Sequence, residues 1–301
     1  MRFNWCASGT KNQFLLTCLQ YTHELSVILT LSNCYLESIE LRQTTLNWLT
    51  TSDPTRKAKG VMDLHHNWSS GQVLLHPAQK ILEPKEIPGR PIKPELVSPK
   101  EVKKRSMQTF EGRAALIHAL AHIEFNAINL ALDAVWRFDN MPNLYYADWL
   151  KVAAEEAYHF TLLNNHLISI GYKYGDFNAH NSLWEMVERT KDDVLARMAL
   201  VPRTMEARGL DASPALRNKL SQAGDKVAAH ILDIILRDEI GHVAIGNHWF
   251  NWLCNQRHLS PISTYDTLAL AYNAPKLRAP FNLEARRLAG FTEAELTILT
   301  A

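Results

Sequence analysis

Two short runs carry residues whose types and spacing could hold a metal. Glu156-Ala-Tyr-His159 and Glu239-Ile-Gly-His242 each place a carboxylate and an imidazole three residues apart. On a helix that spacing stacks the two side chains on one face. Each pair is preceded by a second acid, Glu155 and Asp238, and each has a further glutamate upstream. Glu124 lies 32 residues before Glu156, and Glu206 lies 33 before Glu239. Two Glu-x-x-His helices and two single-Glu helices make the ligand set of a carboxylate-bridged di-metal four-helix bundle. Carboxylate oxygen with imidazole nitrogen suits Fe or Mn.

The elements needed to position these residues can be read from the apolar pattern. Ile117, Ala121, Glu124, Ile128 and Ala131 fall on one face of a helix from about 110 to 137, with one acid inside the stripe. A charged carboxylate there is unfavourable unless it is paired or metal-bound. The turn Asp139-Asn-Met-Pro-Asn143 sends the next helix, about 145 to 170, back antiparallel. Its inner face reads Val152, Glu156, His159, Leu163, and Gly171 ends it. Glu124 and Glu156 are nearly equidistant from that turn and are expected to meet at one height. A third helix is predicted from Ser182 past Pro202, kinked at the proline, stopped at Gly209 and restarted at Ser213-Pro214. Glu206 is the least secure ligand because it depends on those pieces being collinear. The fourth helix, 225 to 254, presents Leu232, Ile235, Glu239, His242, Gly246 and Trp249 together. Ser260-Pro261 and the capping box Thr292-x-x-Glu295 open small outer helices.

Upstream, 82–105 forms a Pro-rich strap, with Pro84, Pro88, Pro91, Pro94 and Pro99, that ends in the basic cluster Lys100, Lys103, Lys104 and Arg105. Residues 1–81 read as a helical N-terminal region, its first 30 residues unassigned, with Asp53-Pro54 opening a helix. The bundle and its C-terminal helices occupy 106–301. No strand-like alternation of any length occurs, so the expected fold is all-α: a four-helix bundle with additional N- and C-terminal helices.

Composition narrows the function. The chain has 301 residues, 47% of them hydrophobic and 21% charged, ample for a core of ordinary size. A net charge of +1 argues against a dedicated nucleic-acid binder. Four cysteines without a C-x-x-C motif exclude a zinc ribbon, a rubredoxin-type iron site and a disulfide framework. The apolar run from Leu25 to Leu36 is shorter than the roughly 20 residues of a membrane span. A soluble, cytoplasmic protein with no membrane partner is the expectation.

Other residues weigh less. His118 and His122 point away from Glu124 and read as a surface or supporting pair, and His65-His66 as solvated side chains. Glu155 could pair with His159 at i, i+4 but lies off the apolar stripe. Asp238 could accept a proton from a ligating imidazole or pair with a neighbouring arginine. Tyr158 reads as a core tyrosine or the lining of an oxygen pocket. Trp136, Trp149, Trp184, Trp249 and Trp252 read as core.

The stretches His118-Ala-Leu-Ala-His-Ile-Glu124, Ala154-Glu-Glu-Ala-Tyr-His159, Val201-Pro-Arg-Thr-Met-Glu-Ala-Arg-Gly-Leu-Asp211 and Arg237-Asp-Glu-Ile-Gly-His242 resemble the ferritin-like domain-of-unknown-function 455 family over residues 36 to 299. The resemblance implies a ferritin-like bundle with Glu124, Glu156, His159, Glu206, Glu239 and His242 as metal positions. It also implies kinship with the di-iron hydroxylase that modifies isopentenylated adenosine in tRNA. The expected protein holds two Fe ions, or Mn or a mixed pair, with Glu156 and Glu239 as bridges and the other four residues as terminal ligands. It would use O2 and an external electron donor to oxidise or hydroxylate an unknown small molecule or a modified nucleoside in tRNA. No flavin or nicotinamide fingerprint is present to supply those electrons from within. The oligomeric state is open, a dimer included. An iron-handling or peroxide-scavenging protein of the ferritin or rubrerythrin kind, and a non-enzymatic helical scaffold, are the alternatives.

Overall fold

A computed structural model of the chain describes residues 39–103 and 105–301. The unassigned first 30 residues lie outside the described residues, as does the start of a helix that Leu36, Ile39, Leu46 and Leu49 predict over residues 35–49. All described residues except Ile39 belong to one compact unit, Glu40–Ala301. The regular structure of the described residues is helical apart from one pairing of two-residue strands, Ile39–Glu40 with Val73–Leu74. The helices are α1 Leu41–Thr50, α2 Pro54–Ser69, α3 Phe110–Arg137, α4 Asn143–Ser169, α5 Ser182–Arg189 and α6 Val194–Leu200, a π-helical turn Val201–Glu206, then α7 Ala207–Gln222, α8 Lys226–Gln256, α9 Pro261–Ala271, α10 Leu283–Leu288 and α11 Glu293–Thr300.

The long helices begin and end where their chemistry requires. Thr109 caps α3 by accepting from the Gly112 amide at 3.0 Å, and Asp53 caps α2 ahead of Pro54. Gly171 adopts φ +80° after α4. The Tyr172 amide then reaches back to Leu167 O at 2.9 Å, closing a Schellman turn. Gly224, at φ +88°, ends α7 in the same way, with the Asp225 amide on Leu220 O at 3.0 Å. Asp225 at once caps α8 through the Ala228 amide at 2.9 Å. Its carboxylate also accepts from His166 near the end of α4 at 3.0 Å, which ties α4 to the start of α8.

Helix α3 packs along α4, α7 along α8, and α4 against α8, while α1 and α2 cover α3 and α4 from outside. By length and composition α3 could cross a membrane, but 78% of its most apolar window is buried in the fold. Its hydropathy is that of a core helix. Residues 82–100 contain no helix and are fastened by backbone bonds, Gly89 to Leu49 at 2.8 Å and Val97 to Ala179 at 2.8 Å. Buried cations hold the outer helices. Lys57 donates to Leu49 O, Gly89 O and Asn129 Oδ1, and Arg42 to Pro77 O, Gln79 O and Trp136 O.

The third helix departs from the sequence reading. It breaks after Arg189, resumes as α6, and at Pro202 widens into a π turn. Proline has no N–H and its ring crowds the carbonyl four residues back, so the chain takes a wider turn, with the Ala207 amide reaching Pro202 O. Neither the stop at Gly209 nor the restart at Ser213-Pro214 occurs. Helix α7 runs through both, with Pro214 inside it. The helical acceptor that Pro214 leaves without a donor, Leu210 O, is taken by Asn282 Nδ2 at 3.2 Å.

Candidate metal centre

Helices α3, α4 and α8 and the π turn converge on a buried group of acids and histidines. Glu156, His159 and His242 have no solvent exposure, and Glu124, Glu206 and Glu239 are buried. The ligand atoms form two groups tight enough to hold an ion, Glu124 with Glu156 and His159, and Glu156 with Glu239 and His242. Glu156 belongs to both. His159 Nδ1 lies 3.2 Å from Glu124 and 3.5 Å from Glu156. His242 Nδ1 lies 2.9 Å from Glu156 and 3.9 Å from Glu239. The two imidazole rings are 5.9 Å apart, centre to centre.

Glu206 joins neither group. It ends the π turn with its carboxylate buried, and the charges of Glu156 and His242 act on it. The matched spacing upstream therefore places it beside the cluster without bringing it to ligand distance of two others.

The far side of each histidine is held by the opposite helix. His159 on α4 donates Nε2–H to Asp238 on α8 at 3.1 Å, and His242 on α8 donates Nε2–H to Glu155 on α4 at 2.9 Å. A carboxylate can only accept, so the proton sits on Nε2, and Nδ1 is the atom that faces the cluster. Asp238 is held in turn by Arg237 at 2.8 Å, and Glu155 by Lys151 at 2.7 Å. Asp238 thus makes both contacts that the sequence left as alternatives. Glu155 bonds His242, not the His159 of its own helix. Its position off the apolar stripe is what lets it reach across.

The electrostatics describe a site crowded with like charge. Burial, then the charge of Glu156, pushes Glu124 up to about 8. Glu206 rises to about 8 for the same reasons, and Glu239 is also raised. Burial opposes ionisation of Glu156 too, but the neighbouring His242 charge, with His159 close by, holds it well below the usual carboxylate range. Burial would lower His159, yet its hydrogen bond to Glu124 and the nearby Glu156 carboxylate outweigh it and push the imidazole up to about 12. Several inward atoms have no hydrogen-bond partner among the described residues: both oxygens of Glu156 and of Glu206, Glu239 Oε2 and His242 Nδ1. Buried polar atoms are rarely left so. Hard oxygen and imidazole nitrogen turned inward together are the donor set a divalent transition metal takes.

The remaining expectations divide. His118 and His122 are buried, not on the surface. His122 bonds Tyr174 Oη at 2.8 Å and lies 3.1 Å from His180 O, and His118 accepts from the Gly175 amide at 2.9 Å. They brace the loop after α4 and take no part in the cluster. Tyr158 is 44% exposed and is neither core nor pocket lining. Trp136, Trp149, Trp184 and Trp249 are core, and Trp252 is partly buried against it. Arg105 of the basic cluster pairs with Glu111 at 2.9 Å and lies over the Phe177 ring.

Comparison with known proteins agrees on the family. Residues 50–297 match the family described as Protein of unknown function (DUF455). A protein of Haemophilus influenzae described as uncharacterized is 48% identical over 257 residues, covering 82% of this chain and 89% of its own length. No solved structure matches. With its match spanning both Glu-x-x-His runs and the π turn, the chain belongs to the DUF455 family.

Proposed function

We propose that the chain is a ferritin-like di-iron carboxylate protein that uses O2 to oxidise or hydroxylate an organic substrate, a small molecule or a modified nucleoside. The observation that carries the reading is that one buried carboxylate, Glu156, is shared by two ligand groups related by a common pattern, each a Glu-x-x-His pair whose imidazole is supported from the other helix. Ferritin-like bundles hold their metals with such Glu-x-x-His pairs projecting inward from facing helices, which supports the reading.

Glu124, Glu156 and His159 would hold one ion, and Glu156, Glu239 and His242 the other, with Glu206 as the further carboxylate. When bound, the metal pair supplies electrons to O2 and oxidising power toward the substrate. Iron, manganese or one of each would satisfy the donors, and an external donor would restore the electrons. The chain's own contribution is to fix protons and charge. Glu155 and Asp238 hold one imidazole proton on Nε2, so that Nδ1 is the nitrogen a metal would take, displacing any proton there. The four inward glutamates balance the charge of two divalent ions in a site from which the surrounding core excludes water.

Metal analysis of protein made in iron- and manganese-supplemented cells, with oxygen uptake after anaerobic Fe(II) loading, tests this. About two ions per chain and Fe(II)-dependent oxygen consumption are expected. Glu156→Ala is expected to remove both ions and the oxygen consumption. Wild-type protein without metal, or full oxygen uptake in Glu156→Ala, would overturn the reading.

A further inference from the structure

Arg203 stands one turn before Glu206 on the π turn and is 4% exposed. Its Nη1 donates to Asn247 Oδ1 at 3.0 Å, and its Nη2 donates to the Glu295 carboxylate. The guanidinium lies over three rings, Phe250 at 4.8 Å, Tyr265 at 5.2 Å and Phe291 at 4.9 Å. Asn247 belongs to α8, five residues beyond His242, and its Nδ2 donates to Ala289 O at 2.7 Å. Glu295 opens α11, where its other oxygen accepts from the Thr292 amide and hydroxyl at 2.8 Å. One side chain therefore joins the π turn, the helix that carries Glu239 and His242, and the C-terminal helices.

A π turn needs such a partner. Its wide hydrogen bonds are rarer than those of an α-helix and favour functional positions. It ends here in Glu206, whose two oxygens have no hydrogen-bond partner among the described residues and which sits beside the like charge of Glu156. Nothing in that side chain's own contacts keeps it turned inward. The backbone on the other side is pressed close, since a Cβ placed on Gly246 would lie 2.5 Å from Pro202 Cβ. Position is thus imposed on the π turn from α8 and from α11.

The geometry points to Arg203 as a positioning residue: its pairing with Glu295 and Asn247 clamps the π turn to α8 and holds Glu206 toward the metal centre. The inference rests on the di-metal reading for its ligand and adds the role of the C-terminal helix, which acts on the site from outside the bundle.

The test is Co(II) titration of the full-length protein, followed by visible absorbance, with amide hydrogen exchange of the metal-free form beside it. In Arg203→Met and Glu295→Ala, the Co(II) equivalent at Glu156, Glu239 and His242, the group whose charges act on Glu206, is expected to weaken about 10–100-fold while the other keeps its affinity. Arg203→Lys, which can still reach Glu295, is expected to recover part of the loss. Exchange at residues 203–206 is expected to quicken in Arg203→Met and Glu295→Ala, with α3 unchanged. Parallel weakening of both equivalents would mean a general structural role and overturn the clamp, as would unchanged affinity together with unchanged exchange. If the wild type binds no Co(II), the di-metal reading fails. Faster exchange confined to the π turn would then still uphold the clamp, and unchanged exchange would end it.

Discussion

At the residue scale, the centre is defined by where protons sit. Without metal, Glu124 and Glu206 keep their protons up to about 8, whereas in the unfolded chain they ionise near 4.5. Across that window the native state binds more protons than the unfolded state, so stability falls as pH rises. His159, raised to about 12, has the same sign. Its contribution is complete below its ordinary 6.5 and is lost as pH climbs toward 12. Chelator-treated protein is therefore expected to melt lower at about pH 8 than at about pH 6, and Glu124→Gln to flatten that slope. Calorimetry or circular dichroism measures both, and a melting temperature that rose with pH would contradict the assignment. Metal must displace these protons, so apparent affinity is expected to rise over the same range. The supporting carboxylates allow a second test. Asp238→Ala is expected to weaken the ion at His159, and Glu155→Ala the ion at His242, each about 10–100-fold by competitive metal titration. Asp238's role was open to sequence reasoning because an acid beside a Glu-x-x-His pair is an obvious support. That of Glu155 was hidden. A helical wheel pairs Glu155 with His159 of its own helix, whereas Glu155 and Asp238 each bond the histidine of the other helix.

At the scale of elements, α3, α4 and α8 were legible because their apolar stripes are long and Gly171 marks the stop of α4. The short turn at 139–143 is what brought Glu124 and Glu156 to one height, as counting from it predicted. Between Ser182 and Gln222 the same reasoning faltered, since proline and glycine signal a break without saying what replaces it. At Pro202 the chain widened by one residue. At Pro214 the helix continued because Asn282, about seventy residues away, supplies a donor that no local pattern contains. Two glycines on α8 test how tightly the π turn is seated. Gly246→Ala would drive its Cβ into Pro202 and is expected to destabilise the protein by about 1–3 kcal/mol. Gly241→Ala meets nothing within 4 Å and is expected to stabilise by about 0.5–1 kcal/mol through helix propensity. Denaturant unfolding distinguishes the two, and equal effects would show that the contact at Pro202 is slack.

Across the whole molecule, buried charge ties distant segments together. Asp133 of α3 is fully buried and accepts from Arg137 at 2.8 Å and from Arg197 of α6. Arg197 also donates to Val187 O at 2.7 Å and Thr190 Oγ1 at 2.8 Å, bridging the break between α5 and α6. Asp133→Ala would leave Arg197 buried without its counter-charge and is expected to cost about 3–5 kcal/mol, measured by chemical denaturation. The crossed support of the two histidines reaches further still. Each Glu-x-x-His run contributes its inward-facing ring to its own half of the cluster and its leading acid to the other half. The two runs are therefore one inherited unit written in two places, about eighty residues apart. Among related chains Glu155 should covary with His242, and Asp238 with His159, more tightly than either acid does with the histidine four residues after it. A chimera that exchanged only one run would separate each ring from its partner.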